Sequence, residues 1–158
     1  MKAVFNSSPL IFLSKLHLID QALKLFSDVT VPGYVQKEIL QKEDIASEKL
    51  KTLLLSNAVV VVCAKNSRMV DAFCKRLGKG EAEAIVVAIE RQADLVVLDD
   101  NVARKEAIRI GLNIKGTLGI IRRLIELDII QCDLDKLYRD LSEMKFRTKR
   151  DIFEKIFK

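Results

Sequence analysis

Histidine, tryptophan, proline and glycine are all scarce in this chain of 158 residues, which has one His, no Trp, two Pro and six Gly. The lone imidazole, His17, has no nucleophile or acid paired with it in the sequence. Ser-His-Asp and Cys-His mechanisms therefore lose their basis, and His17 reads as a surface or packing residue. Two prolines and no low-complexity stretch leave no linker, so a single domain with a real core is expected. The glycines form neither G-x-G-x-x-G after a strand nor G-x-x-x-x-G-K-[ST]. Gly78-Lys-Gly80 is too short and has no strand before it, which removes the usual support for a nucleotide cofactor. Cys63, Cys74 and Cys132 are an odd count without a C-x-x-C pair. They read as free thiols of a reducing compartment, with Cys63 buried at the end of an apolar run. No segment has the 18 apolar residues of a membrane span, and Met-Lys-Ala-Val-Phe-Asn lacks a signal-peptide core. A soluble cytoplasmic protein without membrane contact is expected.

What the chain has instead is aliphatic mass. Hydrophobic residues make up 49% and aromatics only 6%, so the core is built of Leu, Ile and Val. The formal net charge is +5, a mild excess that suits a polyanionic partner without demanding one.

The order of elements alternates. Lys2 to Phe5 reads as a strand ending at Asn6. Ser8-Pro9 then reads as an N-cap with proline at the first helical position. A further helical piece covers 18–26, and Asp28-Val-Thr-Val-Pro32 is a brief strand. Helices follow over 33–42, with Glu38 in the middle, and over 44–56, with Ile45, Leu50, Leu53 and Leu54 inward. Ala58 to Cys63 is the most strand-like stretch. A helix over 67–76 precedes Gly78-Lys-Gly-Glu-Ala-Glu-Ala-Ile85, a glycine-marked turn into a helix whose first turn carries Glu81 and Glu83, where the dipole favours acids. Leu95-Val-Val-Leu98 is a continuous apolar strand that closes on Asp99-Asp100. A helix to Arg109, a short strand over 112–115 and helices over 117–127, 133–144 and 149–157 complete the chain. Such alternation predicts an α/β fold: a central parallel sheet of four or five strands with helices on both faces. Its ligand crevice lies beyond the carboxyl ends of the strands.

Asn6, Asp99 and Asp100 are residues of that edge, and Glu38 and Glu81 can reach it from helices. Carboxylates gathered at one place repel unless they are protonated or share a cation, so the cluster points to Mg²⁺ or Mn²⁺ and to phosphodiester chemistry. The plainer reading stands beside it. Glu38 can be a solvated helix face, Glu81 and Glu83 dipole partners, and Asp99 and Asp100 caps of the next helix.

Taken in order, Val4-Phe-Asn-Ser-Ser-Pro-Leu-Ile11, Val31-Pro-Gly-Tyr-Val-Gln-Lys-Glu-Ile39, Leu77-Gly-Lys-Gly-Glu-Ala-Glu-Ala-Ile85, Val96-Val-Leu-Asp-Asp-Asn-Val-Ala-Arg104 and Gly116-Thr-Leu-Gly119 resemble the PIN-domain family. The likeness is to the prokaryotic PIN-like branch with Asn-x-Ser-Pro-Leu and Gly-Glu-Ala-Glu-Ala motifs, similar to toxin-type PIN ribonucleases. It covers roughly residues 3–130. The resemblance implies a Rossmann-like PIN domain over 1–130, with 131–158 a helical extension packed on it. It also implies a metal-dependent endoribonuclease using Mg²⁺ or Mn²⁺, with RNA as substrate, an antitoxin protein as partner, and a homodimer. Carried over position by position, the catalytic metal ligands fall on Glu38, Glu81 and Asp99, with Asp100 as a supplement and Ser8 in support. Glu83 is left as a first-turn residue. Lys79 and Arg104 flank the site as phosphate-holding candidates.

Asn6 departs from that pattern, because the wider family has an aspartate at the end of its first strand. An amide offers one carbonyl oxygen but no charge. Two readings follow from it. One is a PIN-type ribonuclease that leaves 5′-phosphate and 3′-hydroxyl ends. The other is a PIN-like module that binds nucleic acid or protein with little or no turnover.

Overall fold

The computed structural model describes residues 1–158. Five strands, β1 (Lys2–Phe5), β2 (Asp28–Pro32), β3 (Val60–Val62), β4 (Leu95–Val97) and β5 (Ile114–Lys115), form one sheet in the order β3-β2-β1-β4-β5. Every pairing is parallel. The two-residue alternation of side chains divides the central strands between two cores. Ala3, Phe5, Leu95 and Val97 face one, while Val4, Val96 and Leu98 face the other. This is why both strands read as unbroken apolar runs.

Helices α1 (Ser7–Lys15), α2 (Ile19–Leu23), α3 (Gly33–Leu40), α4 (Ile45–Leu55), α8 (Thr117–Glu126), α9 (Leu134–Glu143) and α10 (Arg150–Phe157) close the larger core. Helices α5 (Ser67–Phe73), α6 (Lys79–Glu90) and α7 (Asn101–Arg109) close the smaller one. The α6 helix is buried almost all round from Ala82 to Ala88, with only Glu83 half-buried among them. Asp44, Asn66, Asp100 and Asp133 cap helix starts by accepting backbone N–H groups, each such cap contributing about 1 kcal/mol. At the other ends, His17, Asn57, Gln92, Gly111, Asp128 and Lys145 take the left-handed conformation just past a helix. That termination usually uses glycine; here only one of the six positions does, which accounts for a fold of many helices with so little Gly.

Four local expectations change. The strand expected over 58–63 contracts to Val60–Val62, because Ala58 N–H is spent closing α4 onto Leu53 O (2.9 Å). Lying at a sheet edge, that strand leaves Val60 49% exposed, and Cys63 is exposed rather than buried. Ile45, placed inward by periodicity, is exposed at the first position of α4. Helix α1 begins at Ser7 with Asn6 as its N-cap residue, so Ser8 lies inside the helix and its hydroxyl is free for another partner. The C-terminal helices share the larger core: Leu137, Leu141 and Phe153 are buried in it, and Phe146 meets Phe12 edge-on at 4.9 Å.

The chain runs β1 to β2 to β3 in one direction, then crosses back to place β4 and β5 on the other side of β1. The reversal falls between β1 and β4, and in open parallel sheets this switch point opens a crevice at the strands' carboxyl ends. Asn6 ends β1 there, its N–H donating to Val97 O at 3.0 Å. Leu98 and Asp99 continue from β4 beside it.

Candidate metal and phosphodiester site

One half of the crevice is electrostatically unsettled. The N-terminal turn of α6 carries Gly80 and Glu81, and α3 brings Glu38 against it. A methyl group added at Gly80 would lie 2.5 Å from Glu38 Oε1 and 3.4 Å from Asn6 Oδ1. The missing side chain at Gly80 thus leaves a space onto which two oxygens open. Asn6 is 2% exposed. Its Nδ2 makes a long bond to Glu81 Oε1 (3.4 Å), and its Oδ1 has no partner. A buried amide oxygen without a donor costs about 1–3 kcal/mol. Glu38 is exposed as a residue, yet its carboxyl pKa is raised above the usual 4.5, first by partial burial of the carboxyl group and then by the charge of Glu81, with Lys42 pulling it down. Two acids repelling each other beside an orphaned oxygen is an arrangement that a cation would relieve.

The other half is bonded shut. Asp99 Oδ1 accepts the N–H of Thr117 (2.7 Å), and Oδ2 accepts the hydroxyls of Thr117 (2.6 Å) and Ser8 (2.9 Å). Asp99 thereby ties the end of β4 to the starts of α8 and α1, with its charge at the positive end of the α8 dipole. Close packing at Gly116 continues this half: a methyl there would lie 2.5 Å from Arg104 Nη1 and 2.8 Å from Asp99 Oδ1.

The remaining candidates divide similarly. Asp100 is the N-cap of α7, its Oδ1 accepting from Ala103 N–H at 2.9 Å. Arg104 donates from Nη1 to Leu98 O (3.1 Å), which fixes it beside Asp99. Lys79 is exposed, with Nζ 5.3 Å from the centre of the Tyr34 ring. Glu83 requires a correction. It lies past the first turn of α6, and its carboxylate accepts from Tyr34 N–H (2.7 Å) and Ala64 N–H (3.4 Å). It is a clamp on the chain after β2 and after β3, and its role is not to balance the helix dipole. Sequence reasoning also passed over Thr117. The signal for it was its place as the first helical residue after a short strand predicted next in line to β4.

Glu38, Glu81 and Asn6 are the residues here whose oxygens could serve a small divalent ion. Mg²⁺ is commonly held by one or two carboxylates, with water and phosphate oxygens completing its shell. Glu38 and Glu81 with the Asn6 oxygen offer such a set. As the side chains stand, no three His, Cys, Asp or Glu residues converge closely enough to hold an ion by themselves. A cage made wholly of protein carboxylates is absent.

A family model described as a PIN domain matches residues 2–158. No curated protein matches the chain.

Proposed function

The chain belongs to the PIN-domain family, a family of nuclease-type modules that generally use divalent metals, and we propose on that premise that it is a metal-dependent endoribonuclease. The observation that supports this most is the unrelieved pair Glu38 and Glu81 beside the partnerless Asn6 oxygen, at the switch point of the sheet. Glu38, Glu81 and Asn6 would hold Mg²⁺ or Mn²⁺. The chemistry such an ion supplies is polarisation of a phosphoryl oxygen and acidification of a water. Asp99, braced by Ser8 and Thr117, presents a fixed negative charge across the crevice and joins the ligands if those hydroxyls give way. Asp100 caps α7 with one oxygen and keeps the other available. Arg104 and Lys79 stand on either side to hold phosphate oxygens. The family resemblance further supports the toxin of a toxin–antitoxin pair as the setting, acting in the cytoplasm as a homodimer against an antitoxin partner.

Cleavage of a labelled RNA by the purified protein with Mn²⁺ tests the reading, with EDTA and the variants Glu81→Gln and Asp99→Asn alongside. Cleavage that requires Mn²⁺ and disappears in Glu81→Gln is expected. Cleavage indifferent to EDTA and to both substitutions would overturn it.

A second reading is supported by two observations: an amide stands at Asn6, and no three acids converge. This reading is a PIN-like module that binds nucleic acid or protein without turnover. Asn6→Asp separates the two, increasing an existing activity under the first and creating one from nothing under the second.

A further inference from the structure

Beyond Asp99 an open cleft of about 710 Å³ runs between the end of β5, the start of α8 and the loop 146–149 leading into α10. Besides Asp99, its charged lining consists of Arg104, Lys115, Arg147 and Lys149. None of these four takes part in any ion pair of the molecule. The contrast with the next residue is sharp, since Arg150 is bonded to Asp135 and Glu154 and lies over the Tyr138 ring. Cations gathered without an ion-pair partner repel one another, and a polyanion neutralises them. The cleft also has an apolar component. Phe146 is held by Phe12, and Ile152 is 48% exposed. Cations that track a backbone, beside an aromatic ring on which a base can lie, are the two parts of a single-strand nucleic-acid groove.

We propose that this cleft is the track by which single-stranded RNA reaches the acids, its phosphates on Arg104, Lys115, Arg147 and Lys149 and a base against Phe146. Charge complementarity and continuity with Asp99 choose the occupant, since a polymer lying in the cleft ends at the acid cluster. The assignment of RNA as a strand to be cut rests on the nuclease reading above. Binding in the cleft does not. The C-terminal segment then has two roles at once: its apolar face completes the larger core, and the loop before it supplies one wall of the track.

The test is fluorescence anisotropy with a 5′-labelled single-stranded RNA of about 12 nucleotides in EDTA, where nothing is cut, with melting curves to confirm folding. In Arg147→Ala/Lys149→Ala the Kd is expected to rise about tenfold or more. The slope of log Kd against log salt should fall by about 1.4, two single-strand phosphate contacts' worth. Phe146→Leu should weaken binding severalfold while Phe146→Tyr keeps it. An unchanged Kd and salt slope in the double variant, no binding by the wild type, or equal competition by polyglutamate would each overturn the proposal. The nuclease reading fails separately. If Glu81→Gln leaves Mn²⁺-dependent cleavage intact while the double variant loses RNA, the track stands and the assignment of the acids falls. If the double variant cleaves with unchanged KM while Glu81→Gln is dead, the track falls and the acids stand.

Discussion

Glu81 lies against Asn6 at the end of β1 and Asp99 follows the neighbouring β4, yet the protein treats the two carboxylates in opposite ways. Asp99 is given three donors, two hydroxyls and an N–H, all between 2.6 and 2.9 Å. Glu81 is given a distant amide and a second acid whose pKa it raises. A carboxylate whose oxygens are filled by donors joins the elements that carry those donors, here the end of β4 with the starts of α1 and α8. An acid left to face another is a cost the fold carries and a ligand can repay. The difference separates a half of the crevice whose acid is bonded to three donors from a half whose acids are not.

That separation can be broken by substitution. The largest effect is expected from Glu38→Gln or Glu81→Gln, which should lower RNA cleavage by more than about 100-fold, beyond what losing a group that only orients a ligand costs, while leaving the melting temperature unchanged or higher. A comparable loss of stability in either variant would erase the distinction between the halves.

Asn6→Asp puts a third negative charge into the unsettled half, at a position 2% exposed. Without metal it should destabilise by about 2 kcal/mol, the scale of a buried group denied its partner. With Mn²⁺ it should bind roughly 10–100-fold more tightly, on the scale by which ligand-shell changes alter metal affinity. Calorimetry reads the affinity, and the widened gap between melting with and without Mn²⁺ reads the linkage.

Thr117→Val acts on the bonded half alone. It removes one hydroxyl but keeps the N–H that reaches Asp99, so a loss of about 1 kcal/mol is expected from denaturant unfolding. Cleavage should suffer less than in Glu81→Gln.

The smallest effect is a pH dependence. A carboxyl raised in the folded state binds its proton more tightly there than in the unfolded chain. Its stabilising contribution is full below the usual 4.5 and is lost as pH rises through the raised value. In EDTA, the melting temperature of Glu38→Gln should therefore exceed that of the wild type at pH 7.5 by about a degree at most, on the order of a few tenths of 1 kcal/mol for a solvent-screened group. The gap should close as pH falls through the carboxylate range. A gap that widens on acidification would mean that Glu38 is stabilised as an anion, against the direction given above.

Much of this architecture was legible from residue pattern. Leu95-Val-Val-Leu98 could only be a strand covered on both faces, and an acid directly after such a strand has few other reasons to be there. The approach of Asn6 to Asp99 followed from both being strand ends. What pattern could not supply was lateral order. Thr117 meets Asp99 only because β5 lies beside β4, with Leu98 N–H donating to Lys115 O at 2.8 Å. Glu83 was misread because its partners are backbone N–H groups, which have no sequence signature. Cys63 was misread because an apolar run at a sheet edge looks the same in sequence as one in the centre. Arg147 and Lys149 lie in the basic stretch Lys145-Phe-Arg-Thr-Lys-Arg150, but only the packing of α10 against α8 brings that stretch into one cleft with Asp99.

The outer strands carry one more consequence. The sheet ends on one side with three residues in β3 and on the other with two in β5. An incoming strand would find almost no ladder to extend, and short edges are one of the ways sheet proteins escape fibrous growth. Strand addition is thus disfavoured at both edges, which leaves helices and loops as the surfaces open to a second copy or a protein inhibitor.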